Sequence, residues 1–292
     1  MNDETGECQP IPMVVLCHLQ AEALLEARER GDGDCASSAD LGVSPSVATL
    51  SSVGVTFPDG VGVTWSALER VAADGKGCCE VGGDEVERIQ QMSERSGRLA
   101  SLYPTPGPPA LLLSGTLMHR VKGIDPGEDT RRKLTPLGRL KGARLLDTAT
   151  GLGYTAIEGA HRGARVVTVE WDPAVESTAR RNPWSAKLFG NAAIERRSGD
   201  IVEEVTAFDD DVFDAVLHDP PVTELAGDLY GGEFYRQLYR VLRRRGRLFH
   251  YIGNPNSPSG ARVLRGVRRR LGEAGFIDLR SQPEAYGVSA RA

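Results

Sequence analysis

The stretch that decides the fold is LLDTATGLGYTAIEGAHRGARVVTVEWDP, residues 145–173. A hydrophobic run leads into a turn that contains Gly151 and Gly153, a helical pattern follows, and a second hydrophobic run ends at Glu170. This layout of strand, tight turn, helix and strand is typical of nucleotide-binding α/β proteins. Position 149 is Ala149, so the full GxGxxG pattern of dinucleotide-binding turns is absent. The pattern leaves open whether this is a plain tight turn or a turn that binds NAD or another ligand that carries an adenosine.

The alternation of strand and helix continues outward from this stretch to the end of the chain. Strand-like runs such as RVVTVE, DAVLHD and GRLFHYI are separated by helical patterns such as PAVESTARRN and EFYRQLYRVLRR. That alternation predicts βαβ units in a doubly wound, mostly parallel, Rossmann-like sheet of seven strands. The last stretch, FIDLRSQPEAYGVSARA, has no helix between its two strand-like runs, so we expect an antiparallel hairpin at the sheet edge.

The chain before residue 140 has a different character, and the sequence predicts four segments. Residues 1–10 form a disordered tail, residues 11–102 a small strand-rich α+β domain, residues 103–140 a linker and lid segment, and residues 141–292 the Rossmann-like domain. The linker begins with YPTPGPPA, in which prolines and a glycine break regular structure.

Three local patterns define the small domain. QAEALLEARERG predicts a helix closed by Gly31. VATLSSVGVTFPDGVGVTW predicts a hairpin that turns at Pro58-Asp59-Gly60. SALERVAAD predicts a helix opened by Ser66, because a serine side chain accepts a hydrogen bond from the first helical turn.

Composition and charge indicate an ordinary globular protein. Charged residues make up 26% of the 292 residues, and no apolar run approaches the ~18 residues that span a bilayer. No basic leader is visible, so we expect a cytoplasmic protein with no membrane partner. The net charge of −5 does not favour nucleic acid. The arginines at 262–270 fit a solvated helix face, or an RNA-binding patch if they lie beside those at 243–247.

The cysteines do not suggest a disulfide framework or a zinc site. The five are odd in number and have no CxxC spacing. Cys78 and Cys79 are adjacent, and we interpret them as buried thiols, with a redox role as the alternative.

Acidic residues stand where four predicted strands end: Asp147, Glu170, Asp200 and Asp219. Ligands of open α/β sheets bind beyond the carboxyl ends of the strands, so these side chains should share one edge. Glu170 is suited to accept hydrogen bonds from both ribose hydroxyls, and Asp200 from an adenine amino group with Ile201 against the ring.

The fourth strand ends in LHDPP, residues 217–221. Two prolines cannot continue a central strand, so they predict a rigid turn that presents Asp219. A carboxylate and carbonyls at this place suit a nitrogen nucleophile that must be oriented and relieved of a proton. His218 and His250 flank the same edge, and we favour hydrogen-bonded structural roles for them.

Taken together, the glycine turn, Glu170, the Gly-Asp pair at 199–200 and the Asp-Pro-Pro turn resemble class I S-adenosylmethionine-dependent methyltransferases over residues 120–292. The resemblance implies S-adenosyl-L-methionine as cofactor, no metal, and Asp219 and Pro220 as catalytic residues. It implies these cofactor-binding residues: Asp147, Thr148, Ala149, Gly151, Gly153, Tyr154, Glu170, Trp171, Asp200, Ile201, Asp219 and Thr130.

The segments MHRVKGIDPGEDT, NPWS and HDPP are most similar to a group of predicted methyltransferases common in archaea. There, the stretch from His119 to Thr130 resembles a lid, which places Lys122 and Asp125 near the cofactor or the acceptor. Two departures from the wider family stand out. Ala149 replaces the first glycine of the loop, which requires a negative φ there. Val222 stands where many relatives carry a stacking aromatic, which disfavours a flat aromatic acceptor.

The predicted activity is methyl transfer from S-adenosylmethionine to a nitrogen atom by in-line displacement. The acceptor stays open between a small molecule, RNA and protein, and a homo-oligomer is compatible with the sequence. Polyamine aminopropyltransferases, which use decarboxylated S-adenosylmethionine, share the architecture and are the first alternative. A non-catalytic RNA- or protein-binding module that retains the pocket is the second.

Overall fold

The structure is a computed structural model that describes residues 12–221 and 227–292. The predicted tail over residues 1–10 lies outside this part of the chain. Contacts between residues divide the chain into two compact units. The first unit contains the residues up to Gln90 together with Leu102–Pro109, and the second contains Gln91–Ser101 together with Ala110–Ala292.

The first unit consists of short antiparallel strands and two helices. One sheet has the order β1-β6-β7 and the other has the order β2-β3-β4-β5. Its strands are β1 (Val14–Cys17), β2 (Asp34–Ser37), β3 (Ser46–Leu50), β4 (Gly54–Thr56), β5 (Gly62–Thr64), β6 (Cys78–Gly82) and β7 (Glu85–Arg88). Its helices are α1 (His18–Arg30) and α2 (Trp65–Ala73).

Two of the three local predictions for this unit are confirmed. Helix α1 ends at Gly31, whose φ of 76° is the left-handed conformation that glycine adopts without a steric cost. Strands β4 and β5 form a hairpin, and Gly60 in the turn between them has a φ of 88°. The sequence pattern therefore determined both the helix end and the turn.

The predicted start of α2 is wrong by two residues. The helix begins at Trp65, and its N-cap is Thr64, whose side chain accepts a hydrogen bond of 3.1 Å from the backbone N–H of Ala67. Thr64 has extended backbone angles, as an N-cap requires, whereas Ser66 already lies inside the first turn.

Cysteine side chains lie in the core of the first unit. Cys17, Cys78 and Cys79 are buried, and Cys35 is half-buried. Burial raises the pKa of the Cys78 thiol well above its ordinary value, which keeps it protonated at neutral pH. This environment favours the interpretation of Cys78 and Cys79 as buried thiols.

The second unit carries the large sheet and the remaining helices. Before that sheet come β8 (Gln90–Met92), β9 (Leu99–Tyr103), β10 (Ala110–Leu113) and β11 (Thr116–Leu117), in the order β11-β10-β9-β8. The strands of the large sheet are β12 (Arg144–Asp147), β13 (Arg165–Glu170), β14 (Ile194–Ser198), β15 (Phe213–His218), β16 (Leu242–Tyr251), β17 (Ile277–Gln282) and β18 (Gly287–Arg291). The helices are α3 (Pro126–Leu134), α4 (Tyr154–His161), α5 (Pro173–Arg180), α6 (Ile201–Glu204), α7 (Gly232–Val241) and α8 (Pro258–Glu273).

The seven-stranded sheet has the order β14-β13-β12-β15-β16-β18-β17. Strands β12 to β16 pair in parallel, and β18 pairs antiparallel with both β16 and β17. The predicted doubly wound sheet with a C-terminal antiparallel hairpin is therefore confirmed. The order reverses between β12 and β15, which is the place where open α/β sheets leave a crevice.

Alternate residues of the parallel strands enter two hydrophobic cores on opposite faces of the sheet. Leu146 joins the core that includes residues of α7 and α8, whereas Leu145 joins the core that includes residues of α3 and α4. Both faces are covered, which explains the nearly continuous hydrophobic runs in the sequence. Among the described residues, no helix combines the length and the apolar character needed to cross a bilayer.

The corrected N-cap generates a stability prediction for the first unit. Replacing Thr64 by alanine removes the hydrogen bond to the Ala67 N–H and should lower the free energy of unfolding by about 0.5–2 kcal/mol. Ser66→Ala is the matched control and should leave it nearly unchanged. Urea denaturation followed by circular dichroism measures both, and a larger loss in Ser66→Ala would contradict the assignment of Thr64.

Candidate active site

A cavity of about 360 Å³ opens at the carboxyl edge of the parallel strands in the second unit. Its floor comes from the loops that follow β12, β13, β14 and β15. Its walls also include Arg98, residues of β10 and α3, and His119. A cavity of this size, with apolar walls and a few convergent polar groups, is typical of a small-molecule site.

The loop after β12 lies against the cavity with an unusual backbone. Positive φ angles occur in this loop at Gly151 (53°) and Gly153 (78°), and not at Ala149. The negative φ that an alanine requires at position 149 is therefore present. A side chain at Gly153 would also collide with Leu188, whose Cδ2 lies 2.6 Å from the position of an added Cβ. Glycine is thus required at 153 by both conformation and space.

Asp147 is completely buried beneath the cavity. Its Oδ2 accepts hydrogen bonds from the hydroxyls of Thr155 (2.8 Å) and Thr168 (3.1 Å). Burial raises the pKa of Asp147 to about 7, and these hydroxyl bonds oppose the rise. Asp147 therefore ties β12 to α4 and β13 below the loop, and it does not itself line the cavity.

Glu170 stands at the end of β13 on the cavity wall. One carboxylate oxygen accepts from the N–H of Gly151 (2.8 Å) and the other from the N–H of Asp172 (2.9 Å). Burial raises the pKa of Glu170 to about 7, opposed by these backbone hydrogen bonds. Each carboxylate oxygen has a second lone pair, so Glu170 retains the capacity to accept from two hydroxyl groups of a ligand.

Two further acidic side chains on the cavity wall act as N-caps of helices. The carboxylate of Asp200 accepts from the N–H of Val202 at the start of α6, and that of Asp172 accepts from Ala174 at the start of α5. Ile201 and Trp171 line the cavity beside them, and Trp171 is 41% exposed. Apolar surface and carboxylates thus alternate along this side.

Asp219 follows β15, and a lysine that was not predicted lies against it. The Nζ of Lys133 is 2.7 Å from Oδ2 of Asp219 and 2.9 Å from Oδ2 of Asp129. The Lys133 side chain is 3% exposed, so its charge is balanced by these carboxylates rather than by water. Burial alone would lower the pKa of Lys133, but the two carboxylates outweigh it and raise that pKa.

The charge pairing continues away from the cavity. The guanidinium of Arg120 is 3.1 Å from Oδ1 of Asp129 and lies over the ring of Tyr286, with Cζ 3.6 Å from the ring centroid. The Nζ of Lys133 is 4.4 Å from the centre of the Tyr251 ring. Arg120, Asp129, Lys133 and Asp219 therefore form a row of alternating charge, which we call the charge row.

The strand-end histidines have hydrogen-bond partners inside the core. His218 contacts the hydroxyl of Thr148 at 2.7 Å and the carbonyl of Leu229 at 2.8 Å. His250 contacts the hydroxyl of Tyr235 at 2.9 Å. Burial lowers the pKa of His218 to about 4, so it is neutral at physiological pH. Both rings therefore form hydrogen bonds beneath the cavity, which is the structural role that the sequence analysis favoured.

The cavity brings together most of the predicted site residues, which are separated in the sequence. Those on its walls are Thr130, Thr148, Ala149, Gly151, Tyr154, Glu170, Trp171, Asp200, Ile201, Asp219 and Pro220. Gly153 and Asp147 do not line the cavity. Val222 lies outside the described residues.

The segment predicted as a lid divides into different roles. Asp125 caps α3 by accepting from the N–H groups of Gly127 and Glu128, and Lys122 is exposed away from the cavity wall. His119 does line the cavity, and its Nδ1 accepts from the N–H of Leu111. Burial lowers the pKa of His119 to about 3, with a further contribution from Lys133.

Sequence reasoning missed Arg98 and Lys133. RRK at residues 131–133 resembles an exposed basic helix end, and only the position of Lys133 on the inner face of α3 distinguishes it. Within residues 12–221 and 227–292, no group of three or more acidic, histidine or cysteine side chains could hold a metal ion.

Residues 146–250 match the family described as a methyltransferase domain. Spermidine synthase structures share the fold. One, in complex with the transition-state analogue AdoDATO, has a TM-score of 0.58 and 19% identity over 70% of this chain and 72% of that chain. Another, from Thermotoga maritima, has a TM-score of 0.55 and 18% identity over 70% of this chain and 71% of that one. The second unit therefore has a Rossmann-like fold, and residues 146–250 within it are similar to methyltransferase domains.

Sequence similarity extends beyond this domain. The chain is 40% identical over 235 residues to the uncharacterized protein MJ1233 of Methanocaldococcus jannaschii, covering 80% of each protein, and it belongs to the same family. It is also 34% identical over 151 residues to polyamine aminopropyltransferase 2 of Streptomyces coelicolor, which covers 49% of this chain and 27% of that protein.

The raised pKa of Glu170 predicts how the stability of the folded protein depends on pH. Because its pKa is higher in the folded protein than in the unfolded chain, the folded state loses stability as pH rises from about 4.5 toward about 7. Glu170→Gln should remove this part of the pH dependence, worth about 1.4 kcal/mol per unit of pKa shift.

Urea denaturation between pH 4 and pH 8 checks this expectation. Glu195→Gln, at an exposed position on the neighbouring strand, is the control and should follow the wild type. An identical pH profile in Glu170→Gln and wild type would show that the Glu170 pKa is not raised.

Proposed function

We propose that this protein transfers a methyl group from S-adenosylmethionine to a nitrogen atom of an acceptor. The observation that carries the proposal is the position of Asp219, an acidic side chain at the same cavity edge as the glycine loop and Glu170. The match to a methyltransferase domain supports the reaction class.

The residues present suit a donor that carries an adenosine. Glu170 would bind the ribose hydroxyls with its remaining lone pairs, and Asp200 would accept from the adenine amino group. Gly151 and the α4 N-terminus allow a close approach to the methionine part. Trp171 and Ile201 would pack against the adenine ring.

When bound, this donor supplies an electrophilic methyl carbon, so a new N–C bond forms as the C–S bond breaks and its electron pair stays on sulfur. Asp219 would accept a hydrogen bond from the acceptor N–H and so aim the nitrogen lone pair. The same carboxylate stabilises the positive charge that develops on nitrogen. Pro220 and Pro221 hold the turn rigid, which preserves that orientation.

Aminopropyl transfer is the second candidate, favoured by the similarity to a polyamine aminopropyltransferase. The donors differ by one carboxylate, which decarboxylated S-adenosylmethionine lacks. Arg98 lines the cavity as a cationic side chain, and such a group suits a donor that keeps its carboxylate. This favours methyl transfer.

Calorimetric titration distinguishes the two donors. We expect S-adenosylmethionine and S-adenosylhomocysteine to bind the purified protein, and Glu170→Ala to weaken both by about 10–100-fold, since the lost carboxylate orders the loop and accepts from the ribose. Stronger binding of decarboxylated S-adenosylmethionine would move the assignment to aminopropyl transfer. No binding of any donor would refute the cofactor proposal.

Asp219→Asn tests catalysis separately from donor binding. With methyl-labelled S-adenosylmethionine and a panel of aliphatic amines, short RNAs and peptides, we expect labelled product from the wild type. Asp219→Asn should lose about 10²-fold or more in rate while donor affinity is kept, because the carboxylate acts on the acceptor. Asp209→Asn, at an exposed position, is the control. Donor binding without transfer to any of the panel would favour a non-catalytic module.

A further inference from the structure

The contact between Lys133 and Asp219 joins residues that are 86 positions apart in the chain. Lys133 lies on the buried face of α3, and Asp219 lies in the turn after β15. Their side chains are 3% and 19% exposed, respectively, so the lysine is enclosed and the carboxylate reaches the cavity. Both side chains line the cavity, and the carboxylate is the more accessible of the two.

The geometry assigns each oxygen of Asp219 a different environment. Oδ2 is held by Lys133 at 2.7 Å, and within the described part of the chain no hydrogen bond is formed to Oδ1. A charge-assisted bond of this length restrains the position of Oδ2. Lys133 is itself held from the other side by Asp129 at 2.9 Å, so it cannot swing away without breaking a second ion pair.

We propose that Lys133 is a positioning residue, which holds Oδ2 of Asp219 so that Oδ1 is presented to the acceptor nitrogen. The inference rests on the proposed function for the identity of the acceptor group. The pairing of Lys133 with Asp219 can be tested without any acceptor.

The balance of charge around Asp219 explains why a lysine is needed. Burial raises the pKa of Asp219, Lys133 opposes this, and Asp129 adds to the rise. Without the lysine, the pKa of this buried carboxyl would rise further, which favours its protonated form. The charged or titratable groups that surround the pair are Asp129 and Lys133 from α3, Asp147 from β12, Tyr251 from β16, and Arg120 and His119 before α3.

The test is a ¹³C NMR titration of the full-length protein labelled at the aspartate carboxyl carbons, with the Asp219 resonance identified by its loss in Asp219→Asn. Lys133→Met keeps the length and removes the charge, and it should raise the pKa of Asp219 by about one to three units. Lys133→Arg should stay closer to the wild type. Lys141→Met, at an exposed position, is the control and should show no change.

Asp129→Asn provides an independent variant with the opposite sign. It leaves Lys133 in place and removes a competing carboxylate, so the pKa of Asp219 should fall. If Lys133→Met does not fold, this decrease still tests the charge row. An unchanged Asp219 midpoint in the folded Lys133→Met protein, or an unchanged or raised one in Asp129→Asn, overturns the proposal.

Calorimetry with S-adenosylmethionine separates this inference from the proposed function. Lys133→Met should bind it within about threefold of the wild-type affinity, because the lysine acts on the acceptor side. A loss of tenfold or more would mean that Lys133 binds the donor carboxylate, and it would overturn the positioning role. Wild-type protein that binds no donor while the Asp219 pKa still shifts would refute the proposed function and leave the ion pairing in place.

Discussion

Parallel pairing of β12 with both β13 and β15 is the constraint on which the site depends. Asp147 is level with Thr168 on one side and with Leu217 on the other, so the three strands end at the same edge. Because the strand order reverses here, the loops after β12 and β15 diverge and leave a cavity between them. Glu170, Asp200 and Asp219 line this cavity although they are far apart in the sequence.

Burying carboxylates at one edge costs free energy, since burial raises the pKa of Asp147, Glu170 and Asp219. The structure offsets that cost in three different ways. Hydroxyl groups donate to Asp147, backbone N–H groups donate to Glu170, and Lys133 neutralises Asp219. Hydrogen-bond donors stabilise a charge without adding an opposite one, whereas a buried lysine requires its own second partner, Asp129. The last arrangement is therefore the most sensitive to a single substitution.

The same fold serves different chemistry in its relatives. Spermidine synthases share it over 70% of this chain, so the architecture alone does not select a reaction. The choice of reaction would depend on a few side chains on the cavity wall. Here those side chains include the cations Arg98 and Lys133.

Much of the fold was predictable because short sequence patterns indicate its strands, helices and turns. Hydrophobic runs that end in acids mark strands, and their alternation with helical patterns determines a parallel sheet. The left-handed glycine at position 31 and the hairpin turn at 58–60 could be predicted for the same reason. The start of α2 was missed because two residues, Thr64 and Ser66, both suit an N-cap, and only backbone conformation separates them.

The sequence by itself determined the class of domain, the strand ends that form the cavity floor and the glycines of its loop. Strand, turn and helix propensities act over a few residues, so they can be inferred from short patterns. Only the tertiary structure decided that Lys133 faces Asp219 and that Arg98 joins the wall. Those contacts depend on how distant segments pack, and no local pattern distinguishes a buried lysine from an exposed one until the face of its helix is known.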